Sequence, residues 1–228
     1  MNLPPRLLDV PLAHRGLWRT GAAPENSLAA FEAACTAGYG IELDVRLSAD
    51  GQAIVFHDES LERMTAESGL VEEYPADALT ALRLMGSDQS IPTLRQALGL
   101  IGDRALVLVE LKTPPGQEGL LEARVAELLA NHRGPVGVLS FNPDALGWLA
   151  RHRFAMPRGL NARTLAQLQA ATVACADFLS VSQELAADPA VQAWRRSGKA
   201  VAWTVRSAVE QAALEGLADN VIFEGFAP

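Results

Sequence analysis

The pattern that most limits this chain is its alternation. From residue 9 to residue 225, short apolar runs take turns with stretches of helical spacing. The expected strands are DVPLAH (9–14), GIELDVRL (40–47), ALVLVELK (105–112), VGVLSF (136–141), AMPRGL (155–160), ADFLSV (176–181), KAVAWTV (199–205) and NVIFEG (220–225). Helical patterns fill the gaps, over 26–38, 93–102, 119–132, 144–152, 164–172, 189–198 and 207–218. In the first of them Leu28, Phe31, Ala34 and Cys35 share a face, Asn26 or Ser27 is placed to cap it, and Gly38 to stop it. The run ALVLVELK is almost continuously apolar, as in a strand covered on both faces. Such a series specifies a parallel sheet. Eight strand–helix units in 228 residues specify an α/β closed barrel of the (β/α)8 TIM type.

The chain stops just after the eighth strand, so the last barrel helix is expected to be missing. AIVFH (53–57) reads as a short extra strand, and residues 58–92 as an irregular, polar insertion over the barrel mouth after strand two. The whole of 1–228 is read as one domain. The alternative is an open doubly wound sheet, but HRGLWRTG after the first strand lacks the GxGxxG spacing of a dinucleotide loop.

Barrels of this type carry their chemistry at the carboxyl ends of the strands. The first strand ends in His14 and Arg15. In the second, Glu42 and Asp44 are two apart and share a face, while Ile41, Leu43 and Val45 point the other way. Two carboxylates facing a barrel interior repel each other and are costly to bury; a bound cation removes both problems. The competing account, a surface strand with alternating charge, fits poorly with large apolar alternates. Glu110 and Lys112 share a face of the third strand, so Glu110 completes a Glu/Asp/Glu set. Carboxylate donors select a hard divalent ion, Mg²⁺, Ca²⁺ or Mn²⁺. Taken alone, Glu110 and Lys112 are also readable as an ion pair at a strand mouth.

The extra strand ends in His57 and Asp58. Two histidines at one mouth suit paired acid–base work near neutrality. His132 and His152 fall at helix C-termini and are assigned to the helix dipole. Arg15 and Lys112 supply donors for phosphate oxygens. A hard metal, two cations and two histidines suit phosphoester cleavage. No GxSxG nucleophile elbow occurs.

Composition closes off other classes. The formal charge of −8 argues against a general nucleic-acid binder, though not against a local phosphate pocket. With 49% hydrophobic residues, disorder is not expected. Cys35 and Cys175 form no CxxC pair or zinc spacing and are read as reduced core cysteines. MNLPPRLLDV lacks the pattern of a signal peptide, and no apolar run is long enough to span a bilayer. The expected compartment is the cytoplasm.

HRG (14–16), PENSLAAF (24–31), IELDVRLSADGQAIVFHDESLERMT (41–65), IPTL (91–94), VELK (109–112), SFN (140–142) and WTV (203–205), in that order, resemble the glycerophosphodiester phosphodiesterases. The resemblance runs from about residue 12 to near the C-terminus. It implies a (β/α)8 barrel with a small insertion after strand two. It implies hydrolysis of a small-molecule glycerophosphodiester to sn-glycerol 3-phosphate and an alcohol. It implies one divalent cation on Glu42, Asp44 and Glu110, acid–base roles for His14 and His57, and phosphate contact by Arg15 and Lys112. Glu25 and Asn26 are read as orienting His14, Arg15 or a metal ligand, or simply as a helix start. Phe141 and Trp203 are placed to line the glycerol side, with core packing an equal alternative. The sequence departs from the family pattern at Arg206, where Asn is common, and at Glu224, where Asp is common. Both changes are expected to touch the mouth and not the metal or acid–base set, with Arg206 a solvated loop residue or an added anion contact. The rivals are a lysophospholipase D or sugar-phosphodiester phosphodiesterase on the same site, and a non-catalytic phosphate-binding barrel.

Overall fold

The computed structural model describes residues 3–170 and 175–228. The strands are β1 (Leu12–His14), β2 (Gly40–Leu47), β3 (Ala53–Val55), β4 (Val107–Leu111), β5 (Val136–Ser140), β6 (Arg158–Ala162), β7 (Phe178–Ser182), β8 (Ala200–Val205) and β9 (Asn220–Phe223). The helices are α1 (Leu28–Ala37), α2 (Ala76–Ala81), α3 (Leu94–Ile101), α4 (Leu120–Ala130), α5 (Pro143–Arg151), α6 (Leu165–Gln169), α7 (Pro189–Arg195) and α8 (Ala208–Ala213). The sheet order β1-β9-β8-β7-β6-β5-β4-β2 closes through a parallel β1–β2 pairing, so eight strands form a barrel. β3 lies outside the ring, antiparallel to β2. Residues 224–228 carry no helix. Among the described residues, no helix is long and apolar enough to cross a membrane.

The strand pleat divides the core in two. Val107, Val109 and Leu111 of β4 face outward into the layer shared with the helices. Leu106 and Leu108 face inward, where they meet Leu12, Leu139, Phe178, Val201, Trp203 and Ile222. Burying each such side chain contributes roughly 1.5–3 kcal/mol. Leu7 joins this inner cluster at 1% exposure, so the segment before β1 plugs the barrel floor.

Local chemistry sets the element ends. Ser27 Oγ accepts from Ala30 N at 3.2 Å and caps α1, while Gly38 ends it at φ +80°. Of the two expected caps, Ser27 acts at the helix and Asn26 serves the site below.

Several expectations are corrected. The strand expected over 155–160 runs from Arg158 to Ala162. Pro157 has no N–H for a ladder, and the strand continues through the polar Asn161, which faces the barrel mouth. Residues 58–92 are not merely irregular. They contain a 3-10 turn (Val71–Glu73) and α2, and bury Leu61, Val71, Leu79, Leu84 and Ile91 against Ile54 and Phe56. Cys175 is exposed and Cys35 half-buried, so neither is a fully buried core residue. The last two residues of the helix expected over 164–172 lie outside the described residues. His152 caps α5 through Nδ1 and the Trp148 carbonyl at 2.8 Å. His132 lies beyond the α4 cap, and burial pushes its pKa down, opposite to the effect of a helix dipole.

Candidate functional site

Strand register assembles the site. His14 pairs with Glu42 across β1 and β2, and Asp44 with Glu110 across β2 and β4. These four residues occupy two adjoining steps of three neighbouring strands, all with side chains toward the barrel mouth. His57 enters from the side: β3 runs back along β2, Phe56 N donates to the Asp44 carbonyl, and Arg46 Nε donates to the His57 carbonyl.

The turn after β1 is tight. Arg15 has φ +59° and Gly16 φ +83°. A Cβ on Gly16 would lie 2.9 Å from the Ala30 carbonyl carbon and from Ala30 Cβ, so only glycine lets α1 approach this closely. The segment Glu25–Asn26 clamps the turn from outside. Asn26 N donates to the Arg15 carbonyl at 2.9 Å. Asn26 Nδ2 donates to Asp44 Oδ2 at 2.8 Å, and Asp44 N donates to Asn26 Oδ1 at 3.3 Å. Arg15 Nη1 donates to Glu25 Oε1 at 2.7 Å, and its Nε lies 3.4 Å from Asp44 Oδ2. Both residues therefore act on Arg15 and Asp44 rather than on His14.

Glu42, Asp44 and Glu110 are buried, and one oxygen from each lies within 4.8 Å of the others. Oxygens sharing one Mg²⁺ or Ca²⁺ at about 2.0–2.6 Å must lie within such a span. Burial and the charges of Asp44 and Glu110 raise Glu42 well above the usual carboxylate range. Burial also raises Glu110, against the pull of Lys112. Burial opposes the charge on Asp44 as well, but Lys112 and Arg15 prevail and hold it low. Lys112 Nζ sits 2.9 Å from Asp44 Oδ1 and 2.5 Å from Glu110 Oε1. Lys112, with an Arg15 that is shared with Glu25, cannot neutralise three buried carboxylates, and the all-oxygen donor set fits a hard divalent cation.

Each of the two histidines rests on a carboxylate. His57 Nδ1 lies 2.7 Å from Asp58 Oδ1, and Arg63 holds Asp58 Oδ2 at 2.5 Å. Arg63 also reaches Glu25, which joins this group to the Arg15 clamp. Burial, with Lys112 and Arg15 nearby, pushes His57 below the ordinary imidazole value despite Asp44 and Asp58. His14 Nδ1 lies 2.6 Å from Glu224 Oε2, and Arg206 Nε donates to Glu224 Oε1 at 2.7 Å. This corrects the expectation that the changes at 206 and 224 leave the acid–base set untouched. Arg206 is exposed, as a solvated residue would be, but it is paired through Nε with Glu224 and also lines the cavity.

His14, Arg15, Glu42, His57, Glu110 and Lys112 line one cavity of about 140 Å³, with Phe141 and Trp203 on the far wall. Asp44 lies behind them, fully buried. The Phe141 and Trp203 rings meet edge to face at 5.5 Å, and the Arg163 guanidinium stands 5.3 Å from the Trp203 centroid. Eight of the expected site residues thus line this cavity, while Asp44, Glu25 and Asn26 stand one contact back. Sequence reasoning missed Arg63 and Asn161. Asn161 Nδ2 donates to Glu110 Oε2 at 3.0 Å, and its polarity inside an expected strand was the available signal.

Residues 14–223 match the glycerophosphoryl diester phosphodiesterase family. The chain is similar to glycerophosphodiester phosphodiesterases of Caldanaerobacter subterraneus subsp. tengcongensis (36% identity over 147 residues, 59% of this chain and 59% of the relative) and Bacillus altitudinis (38% over 147 residues, 59% and 58%). The matched stretch spans about three fifths of the length of these relatives. Its fold matches that of an Oleispira antarctica phosphodiesterase solved in complex with the product sn-glycerol-3-phosphate, with a TM-score of 0.84 and 29% identity over 93% of this chain and 91% of that one. The barrel, the order of the site residues along it and the match over nearly its whole length lead to one conclusion: the chain belongs to the glycerophosphoryl diester phosphodiesterase family.

Proposed function

We propose that this protein hydrolyses glycerophosphodiesters to sn-glycerol 3-phosphate and an alcohol, with one divalent cation, Mg²⁺ or Ca²⁺, on Glu42, Asp44 and Glu110. The observation that carries the reading is the meeting of two carboxylate-supported histidines and three buried carboxylates on one cavity. The product bound to the similar Oleispira antarctica protein supports the substrate class. When bound, the cation withdraws charge from the phosphodiester oxygens.

The chain's own groups do the rest. Arg15 and Lys112 place positive charge beside the phosphate, where water is largely excluded and fixed charges act strongly. Nδ1 of each histidine is taken by a carboxylate, so Nε2 is the ring nitrogen left for substrate. One Nε2 accepts the proton of the attacking oxygen, from water or the adjacent glycerol hydroxyl. That oxygen bonds to phosphorus, the bond to the alcohol oxygen breaks, and the second histidine gives that oxygen its proton. Attack by the glycerol hydroxyl gives a cyclic phosphate first, which water then opens. Burial, with Lys112 and Arg15 nearby, disfavours the charged form of His57, which suits proton acceptance. Phe141 and Trp203 offer an apolar wall to the glycerol carbons.

The test is release of glycerol 3-phosphate from a panel of glycerophosphodiesters, in EDTA and with each metal restored. Release should require a divalent cation and fall about 10²–10⁴-fold in His14→Ala and His57→Ala. Release that persists in fully metal-stripped protein, or in both variants, overturns the reading.

A further inference from the structure

Arg206 and Glu224 form a single ion pair, and that pair sits on His14. The register explains how. Glu224 N donates to the Val205 carbonyl at 2.9 Å, extending the β8–β9 ladder by one residue. Arg206 and Glu224 therefore leave neighbouring strands side by side. β9 in turn pairs with β1, Ala13 opposite Phe223, which sets Glu224 beside His14. The three residues form a row across three adjacent strand ends, although 210 positions separate His14 from Glu224.

We propose that Glu224 is a positioning residue for His14, and that Arg206 holds Glu224 in place. The proposal rests on the reading of His14 as an acid–base group. An ionised carboxylate only accepts hydrogen bonds. At 2.6 Å from Glu224, His14 Nδ1 carries a proton, so Nε2 is the nitrogen left to exchange one with substrate. That nitrogen stands 4.0 Å from Glu42 Oε2, on the cavity side of the ring. The contact fixes both the tautomer and the plane of the imidazole.

Arg206 has two effects on Glu224. It occupies Oε1, leaving only Oε2 for His14. Its charge also offsets that of the half-buried Glu224. Arg206 is anchored in its own right, since its backbone N donates to Glu210 Oε2 at 2.6 Å. Burial works against a charged Glu224, but the bond from His14 and the nearby Arg206 outweigh it and hold its pKa at about 2. It is thus an acceptor throughout the neutral range. His57, Asp58 and Arg63 repeat the same arrangement from residues close together in sequence. The cavity is flanked by two imidazoles, each backed by a carboxylate and an arginine.

The decisive variant is Glu224→Gln, which keeps the shape and removes the charge. In metal-loaded protein turning over a glycerophosphodiester, kcat should fall about 10–100-fold with KM within twofold. Arg206→Ala should show the same split with a smaller loss. Glu224→Asp should restore part of the rate. Nitrogen-15 NMR of the His14 ring in the native protein should show Nδ1 protonated, and that preference should be lost in Glu224→Gln. Unchanged kcat in a folded Glu224→Gln protein, or a native His14 protonated at Nε2 alone, overturns the proposal. If the native protein turns over no glycerophosphodiester, the activity reading fails, and the NMR result alone decides whether Glu224 sets the tautomer.

Discussion

Glu42 is the residue whose energetics depend most on what shares its pocket. It is 2% exposed, with Asp44 and Glu110 nearby, and without a cation it avoids the repulsion by binding a proton. A carboxyl with a raised folded-state pKa costs stability as pH climbs from its unfolded value toward the folded one. Glutamine matches the neutral form at any pH. Glu42→Gln is therefore expected to raise the melting midpoint in EDTA by about 2–4 °C for each kcal/mol relieved, more at pH 8 than at pH 5. With the cation proposed above, it should also abolish the rise in midpoint expected when Mg²⁺ or Ca²⁺ is added to the native chain. Thermal denaturation with and without metal at the two pH values checks both. A lower midpoint in EDTA would show that the carboxylate is not the strained group.

At the scale of elements, the turn from β1 to α1 has the least room. Gly16 combines φ +83° with the Ala30 backbone only 2.9 Å from where a Cβ would stand, whereas Gly38, at φ +80°, has open space around it. Gly38→Ala should cost about 1–2 kcal/mol from conformation alone. Gly16→Ala should add roughly 1–3 kcal/mol of steric strain and also slow turnover, because the turn carries His14 and Arg15. Urea unfolding of the pair measures the difference, and equal losses would remove the close-approach argument. The elements also show what could be read in advance. β2 begins and ends where its pattern says, since alternation of large apolar and acidic residues leaves only one register with the carboxylates inside. β6 does not, because its inward Asn161 answers to Glu110, a partner 51 residues away. The same holds for most of residues 58–92, where only Ala76 and Leu79 of α2 keep a helical spacing and Leu61 and Leu84 are buried from loops.

For the whole molecule, the critical feature is the seam where the barrel closes. β1 and β9 share only two register pairs, Leu12 with Ile222 and Ala13 with Phe223. Asn220 reinforces them: its Nδ2 donates to the Leu7 carbonyl at 2.6 Å and the Val10 carbonyl at 2.7 Å. This ties the last strand to the segment that plugs the floor. Asn220→Ala should cost about 1–3 kcal/mol. It should also loosen β1 and β9 before the rest of the sheet, seen as faster amide exchange in those strands. Uniform loss of protection would mean that the seam is no weaker than the other strand pairs. Because His14 meets Glu224 across this seam, closure and the alignment of His14 are one event.

Sequence alone determined the barrel, the inward set of Glu42, Asp44 and Glu110, and His14 at a strand end, whereas His57, expected to end the extra strand, lies two residues beyond β3. Each of these follows from local periodicity: a strand alternates its faces, and a carboxylate on the buried face stands out against its neighbours. Only the tertiary structure decided how the histidines are held, where Asn161 points, and that Arg206 and Glu224 belong to the site. Apart from the local His57–Asp58 contact, these join strands far apart in sequence. They exist through the register of neighbouring strands and the closure of the ring, neither of which any single stretch of the chain encodes.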